Sequence, residues 1–434
     1  MENLDFARLQ MAFTLGFHII FACIGMVMPF FMIVSHKKWL NTRDPIYLKL
    51  TKAWQKGVAI FFVTGAVSGT ALSFELGLLW PGFMEHAGPI IGMPFSLEGA
   101  AFFVEALALG FYLYGWDKLP EKFHWFTGVI IGISGVASGI LVVSANSWMN
   151  APSGFDYNNG VFSNIDPVKA MLNPAWFTEA LHMTLAAFVA TSFAVAGVHA
   201  LQIFRKKQIE LHTKAFKIAI LFGAVAAILQ PISGDLSAKD VAERQPVKLA
   251  ALEAHYETEK GAPLYIGGIV DEEKKEVSYK IEIPKALSFL AFGDFDAEVK
   301  GLNDFPEDEL PPVAVVHYAF QIMVGIGTLL MLAGLLYFIS LKKKSLLENR
   351  KFWLFFIFLA PLGFVALEAG WVVTEVGRQP WIIHGIMKTK DAVTPMPGMK
   401  YSFYMYVLLY VVLGITVTWL MNRQIKALNS SKDS

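Results

Sequence analysis

The sequence predicts an all-α polytopic membrane protein with nine transmembrane helices, and three observations carry that prediction. Apolar runs of about twenty residues, long enough to cross a hydrocarbon layer as helix, recur nine times. The 434-residue chain is 55% hydrophobic and only 17% charged, too apolar for a soluble protein of this length. Lysine and arginine gather on alternate connections, which sets an orientation.

The apolar runs cover roughly 11–34, 54–79, 94–116, 125–148, 176–204, 214–232, 313–340, 352–375 and 402–422. With the N-terminus outside and the C-terminus cytoplasmic, the inner segments are 35–56, 117–124, 205–217, 341–351 and the tail. These hold 21 basic residues against 6 in the short outer segments, so the positive-inside rule favours this orientation. The first run has no basic flank or small-residue cleavage site before it and reads as a span, not a removed signal peptide. Three regions result: spans one to six in 1–232, an outer loop in 233–312, and spans seven to nine with a cytoplasmic tail in 313–434. A structureless loop of about eighty residues is unusual, so this one is expected to carry function. Within it, Leu236–Tyr256 reads as an amphipathic helix. The segments 264–270 and 277–283 read as a β-hairpin with a charged tip. Pro306, Pro311 and Pro312 then lead into the seventh span.

Formal net charge is zero, so nothing in the composition points to nucleic acid or an acidic partner. The single cysteine, Cys23, lies in an apolar run and reads as a small packed residue; a thiolate metal site or internal disulfide is not available. Chemistry must come from histidine, methionine and carboxylates inside the spans, where ionisable groups are costly and mark function. Glu368, Trp371 and Glu375 share one face of the eighth span, which Gly377 and Pro380 then break beside Arg378. At a helical rise of ~1.5 Å per residue, His18 and His182 each lie about 10 Å below the outer ends of their helices. Met323 lies about 15 Å into the seventh span. Glu98 is one or two turns into the third, and Glu375 is at the outer end of the eighth. Five helices therefore bring a potential ligand or proton group to the outer half of the membrane. Glu105 shares a face with Glu98, about 10 Å deeper, as a proton relay would require. Gly325 and Gly327 beside Met323 leave room for a large flat group.

Single histidines, a methionine and a carboxylate suit haem iron. A copper centre needs several clustered histidines, and zinc a denser ligand spacing. Two other classes compete. A membrane transporter with a buried carboxylate site would explain the glutamates and broken helices but not the level of His18, His182 and Met323. A haem electron carrier without oxygen chemistry would explain the ligands alone.

At these residues the chain resembles subunit I of the cytochrome bd quinol oxidases. The matching segments run from Arg8 to about residue 420. They are Arg8–Thr14 with His18, Ser96-Leu-Glu-Gly99, Asn173-Pro-Ala-Trp176 with His182, and Gly234-Asp235 with Gln245–Ala254. Two more are Ile322-Met-Val-Gly325 and Gly370-Trp371 with Glu375 and Gly377-Arg-Gln-Pro-Trp381. The resemblance implies a terminal oxidase that oxidises quinol at the outer face and reduces oxygen to water with cytoplasmic protons, building a gradient without pumping. It implies that His182 and Met323 bind a low-spin haem b. It assigns His18 and Glu375 to two high-spin haems, one b and the other d or a third b, with Glu98 beside them and Glu105 feeding protons. Trp371 would lie between haems and Arg378 would neutralise propionates. Lys248 and Glu253 would serve the quinol, menaquinol or ubiquinol. Implied partners are a second membrane subunit, with a small single-helix subunit as a further candidate, in a bacterial or archaeal plasma membrane. Two departures stand out: Gln321 replaces an arginine common in the family, and Ser73–Pro81 resembles the cyanide-insensitive branch.

Overall fold

Nine helices among the described residues are long and apolar enough to cross a membrane. The computed structural model describes residues 2–158 and 160–430, so the end of the expected tail, 431–434, lies outside the described residues. The helices are α1 (Glu2–Thr42), α2 (Pro45–Leu79), α3 (Pro81–Tyr114), α4 (Glu121–Asn150), α5 (Trp176–Phe204) and α6 (Ile209–Arg244). After a short α7 (Pro246–Glu253) come α8 (Val313–Lys342), a kinked pair α9 (Arg350–Leu359) and α10 (Leu362–Val376), and α11 (Met399–Ser430). All nine expected spans are present, and most extend past the apolar run that announced them. Polar turns continue a helix when they protrude from the membrane, where water satisfies their side chains.

Local chemistry fixes the ends. Asp44 caps α2 by accepting from the Ile46 backbone N–H at 2.9 Å, with Pro45 in the first turn, so α1 and α2 reverse within two residues. Pro361 separates α9 from α10, where an interior proline would remove a helix hydrogen bond. Small residues set the closest crossings. An added Cβ at Gly363 would stand 2.6 Å from the Ala190 Cα, and one at Gly334 would stand 3.0 Å from the Ala224 Cα. Backbones in a membrane bundle approach this closely only where side chains are minimal. The main apolar cluster joins α1, α2, α5, α6, α8 and α9 around Phe31, Phe193, Phe216 and Phe356. Large apolar side chains such as Phe74, Phe103, Leu408 and Ile415 are exposed on the outside, as lipid or a membrane partner requires.

The 233–312 segment departs from expectation at its start. Residues 233–244 continue α6, and the expected amphipathic helix over Leu236–Tyr256 is divided at Gln245 by Pro246, which opens α7. The expected hairpin is present. Leu264–Ile266 pairs with Ile281–Ile283, and Ile269–Asp271 pairs with Glu276–Ser278, leaving a charged tip at 272–275. Four hydrogen bonds lay the hairpin on α8. Glu272 accepts from the Ala314 N–H at 2.7 Å, at the helix N-terminus where a carboxylate is favoured. The Val270 N–H donates to the Tyr318 hydroxyl at 3.0 Å. Gln321 accepts from Gly267 at 3.2 Å and donates to the Tyr265 carbonyl at 2.9 Å.

Candidate functional site

His18 and His182 are held in the same way. Gln10, Thr14 and His18 follow at four-residue steps on one face of α1, turned toward α2. His18 Nδ1 lies 2.9 Å from Ser68 Oγ, and that hydroxyl gives its own hydrogen to the Thr64 carbonyl at 2.9 Å. A hydroxyl whose hydrogen is committed accepts, so the ring proton sits on Nδ1 and Nε2 keeps its lone pair. Ser68 precedes Gly69, and a Cβ there would stand 3.0 Å from His18 Cε1. On α5, His182 Nδ1 lies 3.0 Å from Ser233 Oγ, which donates to the Gln230 carbonyl at 2.8 Å. Ser233 precedes Gly234, whose added Cβ would be 3.6 Å from His182 Cε1. Neither serine was singled out from sequence. Its signal is a Ser-Gly pair in each helix packed against a membrane histidine, which is visible only once the helix neighbours are known.

Met323 on α8 faces α10, where a Cβ at Gly370 would stand 3.1 Å from its sulfur. Gly325 and Gly327, expected to leave room, have open space beside them. Trp371 follows Gly370 and packs half-buried on the main apolar cluster.

Glu375 sits at the end of α10 with both oxygens engaged. Oε1 accepts from Asn146 Nδ2 at 2.6 Å and Oε2 from Arg378 Nη2 at 2.7 Å. Arg378 is 3% exposed, and its Nε and Nη1 have no partner. Glu98 accepts from Ser138 Oγ on α4 at 2.9 Å. Glu105 is buried against the same helix, where a Cβ at Gly135 would lie 3.5 Å from its carboxylate. The two glutamates therefore share the face expected of them. His18, Glu98, His182, Met323 and Glu375 do not hydrogen-bond to one another; each packs against or bonds to neighbours of its own. Among the described residues no three His, Cys, Asp or Glu side chains converge as a cage for a metal ion. Glu368 points toward Gly16 on α1, where an added Cβ would meet its Oε2 at 3.3 Å.

Asn150, one turn beyond Asn146 on α4, forms a node. Its Oδ1 accepts from Lys248 Nζ at 3.0 Å and its Nδ2 donates to Glu179 at 3.1 Å. Burial pulls the Lys248 ammonium below its ordinary range, and Glu179 opposes that. Sequence reasoning missed Asn146, Asn150 and Glu179. Two asparagines four apart in an apolar helix, and a glutamate three before His182, were the available signals. Glu253 is 3% exposed, with Oε2 unpartnered. Burial raises its carboxyl to about 8, and the Tyr265 backbone N–H beside it only partly offsets this. Lys248 and Glu253 make no direct bond; they end one α7 turn in different surroundings. His317 Nδ1 lies 2.8 Å from the Leu252 carbonyl, leaving Nε2 buried without a partner.

The chain is similar to known proteins over almost its whole length. The profile of cytochrome bd terminal oxidase subunit I matches residues 6–429. The chain belongs to that family. A Bacillus subtilis (strain 168) protein provisionally named cytochrome bd menaquinol oxidase subunit I is 37% identical over 97% of this chain and 96% of its own. A second protein from that strain, cytochrome bd ubiquinol oxidase subunit 1, is 32% identical over 98% and 94%. The solved bd oxidase from Geobacillus thermodenitrificans superposes with a TM-score of 0.93 at 37% identity, covering 98% of each chain. Cytochrome bd membership makes this a multi-pass membrane subunit of an oxidoreductase, and the family implies haem cofactors and a quinol substrate. The residues present fit haem. His18 and His182 each keep an Nε2 lone pair, the latter with only the Gln230 amide at 3.2 Å; a thioether faces a glycine, and Nε and Nη1 of a buried guanidinium are left for a carboxylate such as a propionate.

Proposed function

We propose that this bd oxidase subunit couples quinol oxidation at its N-terminal, outer face to reduction of oxygen to water with protons from the cytoplasm. The observation that carries the reading is the repeated hold on His18 and His182, each with Nδ1 tied to a serine so that Nε2 keeps its lone pair, at His182 with the Gln230 amide 3.2 Å away. A transporter has no use for two such presentations. His182 and Met323 hold a low-spin haem b, while His18 and Glu375 serve two high-spin haems, b with d or a third b. Bound haems supply the electron path and the iron at which oxygen is reduced.

The chain's residues do the rest. The 233–312 segment takes the quinol headgroup, menaquinol or ubiquinol. There Glu253, mostly protonated below pH 8, exchanges a hydroxyl proton with the outside, and Lys248 orients the oxygen it reaches. Arg378 would meet a haem propionate and Trp371 would lie between haems. Glu105 and Glu98 pass protons from the inner side along one face of α3, with Ser138 holding Glu98 in place. Electron and proton thus approach oxygen from opposite faces, and charge separates without a pump. The 21 to 6 distribution of basic residues supports this orientation. The apolar flanks support a second membrane subunit, and a single-helix subunit as a smaller partner, in a bacterial or archaeal plasma membrane. The Ser73–Pro81 segment supports a cyanide-insensitive character, which a cyanide titration of oxygen uptake tests.

The deciding experiment is a reduced-minus-oxidised spectrum of the purified complex, with pyridine haemochrome analysis and oxygen uptake driven by quinol. Low-spin and high-spin haem with quinol-dependent uptake is expected. Low-spin haem without uptake would leave an electron carrier, and a colourless protein would sink the reading altogether.

A further inference from the structure

The end of the bundle away from the N-terminus carries a feature that oxidase chemistry does not use. Two adjoining cavities, about 400 and 230 Å³, open where the first turns of α2 meet the turn between α3 and α4. Lys52, Trp116 and Asp117 line both, and Lys56 and Lys118 line the larger. Lys52 and Lys56 are one helical turn apart and point the same way. None of the three lysines forms an ion pair among the described residues. The other acids nearby are committed: Asp44 to Lys214 and Glu121 to Arg43. Asp117 is the acid that lines both cavities.

The cavity wall is built. Trp116 Nε1 donates to Gln55 Oε1 at 2.6 Å, which fixes the indole, and Lys52 Nζ stands 5.1 Å over its ring. His36 stacks on the same indole at 5.1 Å and is fully buried. Its Nδ1 lies 2.8 Å from the Tyr112 hydroxyl, while Nε2, on the residue that lines the smaller cavity, has no partner. A buried polar atom without a partner, beside unpaired ammonium groups and a fixed indole at a membrane boundary, suits an anionic oxygen above an acyl chain.

We propose that these cavities bind the phosphate of an anionic phospholipid from the leaflet at that end of the bundle. Lys52, Lys56 and Lys118 meet the phosphate, His36 meets a headgroup oxygen, and Trp116 sits at the level of the glycerol. The site is distinct from the haem and quinol residues, so its failure leaves the proposed reaction untouched.

Native mass spectrometry of the purified complex, titrated with phosphatidylglycerol in neutral detergent, tests this. The triple variant Lys52→Ala, Lys56→Ala, Lys118→Ala should lose roughly tenfold in phosphatidylglycerol affinity and none for phosphatidylcholine, with its haem spectrum unchanged. Lys122→Ala, exposed nearby but outside the cavities, should bind as the parent does. Equal retention by the triple variant overturns the site, as does an equal loss in Lys122→Ala, which would mean diffuse surface charge. Displacement of phosphatidylglycerol by millimolar inorganic phosphate assigns the site to a soluble phosphate and overturns the lipid.

Discussion

His18 and His182 are presented by one device in two settings, and the settings differ in what stands opposite the ring. Both have a serine on Nδ1 and a glycine beside Cε1. At His182 the surroundings are polar and two-sided. The Gln230 amide lies 3.2 Å from Nε2 and also donates to the His182 carbonyl at 3.2 Å. At His18 the ring is confined on one side by Gly69, and Ser68 is the polar partner that its side chain meets. The lesson concerns coordination number. Iron with two protein ligands carries electrons; iron with one keeps a position for oxygen. On the proposed assignment, the same histidine hold serves both chemistries, and whether a second side chain joins it decides which.

The largest effects should come from the proposed ligands. His182→Ala or Met323→Leu removes the low-spin b spectrum and abolishes quinol-driven oxygen uptake while the high-spin signals persist. His18→Ala does the reverse, keeping a low-spin haem that quinol still reduces. Equal loss of every haem in both variants would erase the distinction and indicate misfolding. Next is the proton side. Glu105→Gln should slow oxygen reduction at least tenfold with all haems bound, without changing the rate at which quinol reduces the low-spin haem. Full turnover in that variant removes Glu105 from the path.

The sequence made the spans and the ligands legible for different reasons. A span announces itself because about twenty apolar residues are needed to cross lipid, and lone histidines inside one are conspicuous. What stayed hidden was pairing across helices. Ser68 and Ser233 look like small packing residues until α1 is seen against α2 and α5 against α6. Asn146 and Asn150 acquire meaning only when Glu375 and Lys248 arrive from segments more than ninety residues away. Gln321, an arginine in many relatives by resemblance, proves to anchor the hairpin of the 233–312 segment to the helix of Met323. The extension of α6 to Arg244 was missed because its polar turns end the hydropathy signal before they end the helix.

Smaller changes sharpen the comparison. Gly69→Ala places a methyl 3.0 Å from His18, whereas Gly234→Ala makes an ordinary 3.6 Å contact with His182. The first should shift or weaken the high-spin haem spectrum, and the second should leave the low-spin haem close to normal. Ser68→Ala and Ser233→Ala should each lower retention of their own haem by about tenfold, read by haem content after dilution, because second-shell partners hold ring and tautomer. Cross-effects, with Ser68→Ala altering the low-spin haem, would mean that the two holds are not independent.

The smallest effect is a pH dependence confined to the quinol side. Burial raises the Glu253 carboxyl from 4.5 to about 8. Its neutral form is favoured in the fold, so its contribution to stability is complete below pH 4.5 and is lost as pH rises through 8. A base must be ionised, so the rate of quinol oxidation should rise from pH 7 to 8 by roughly fivefold and then level. Glu253→Gln should flatten that limb and lower the rate at pH 8, while oxygen reduction by the pre-reduced enzyme keeps its own pH profile. A limb that survives in Glu253→Gln assigns the titration to another group, and one that also appears in the oxygen reaction removes the separation between the two faces.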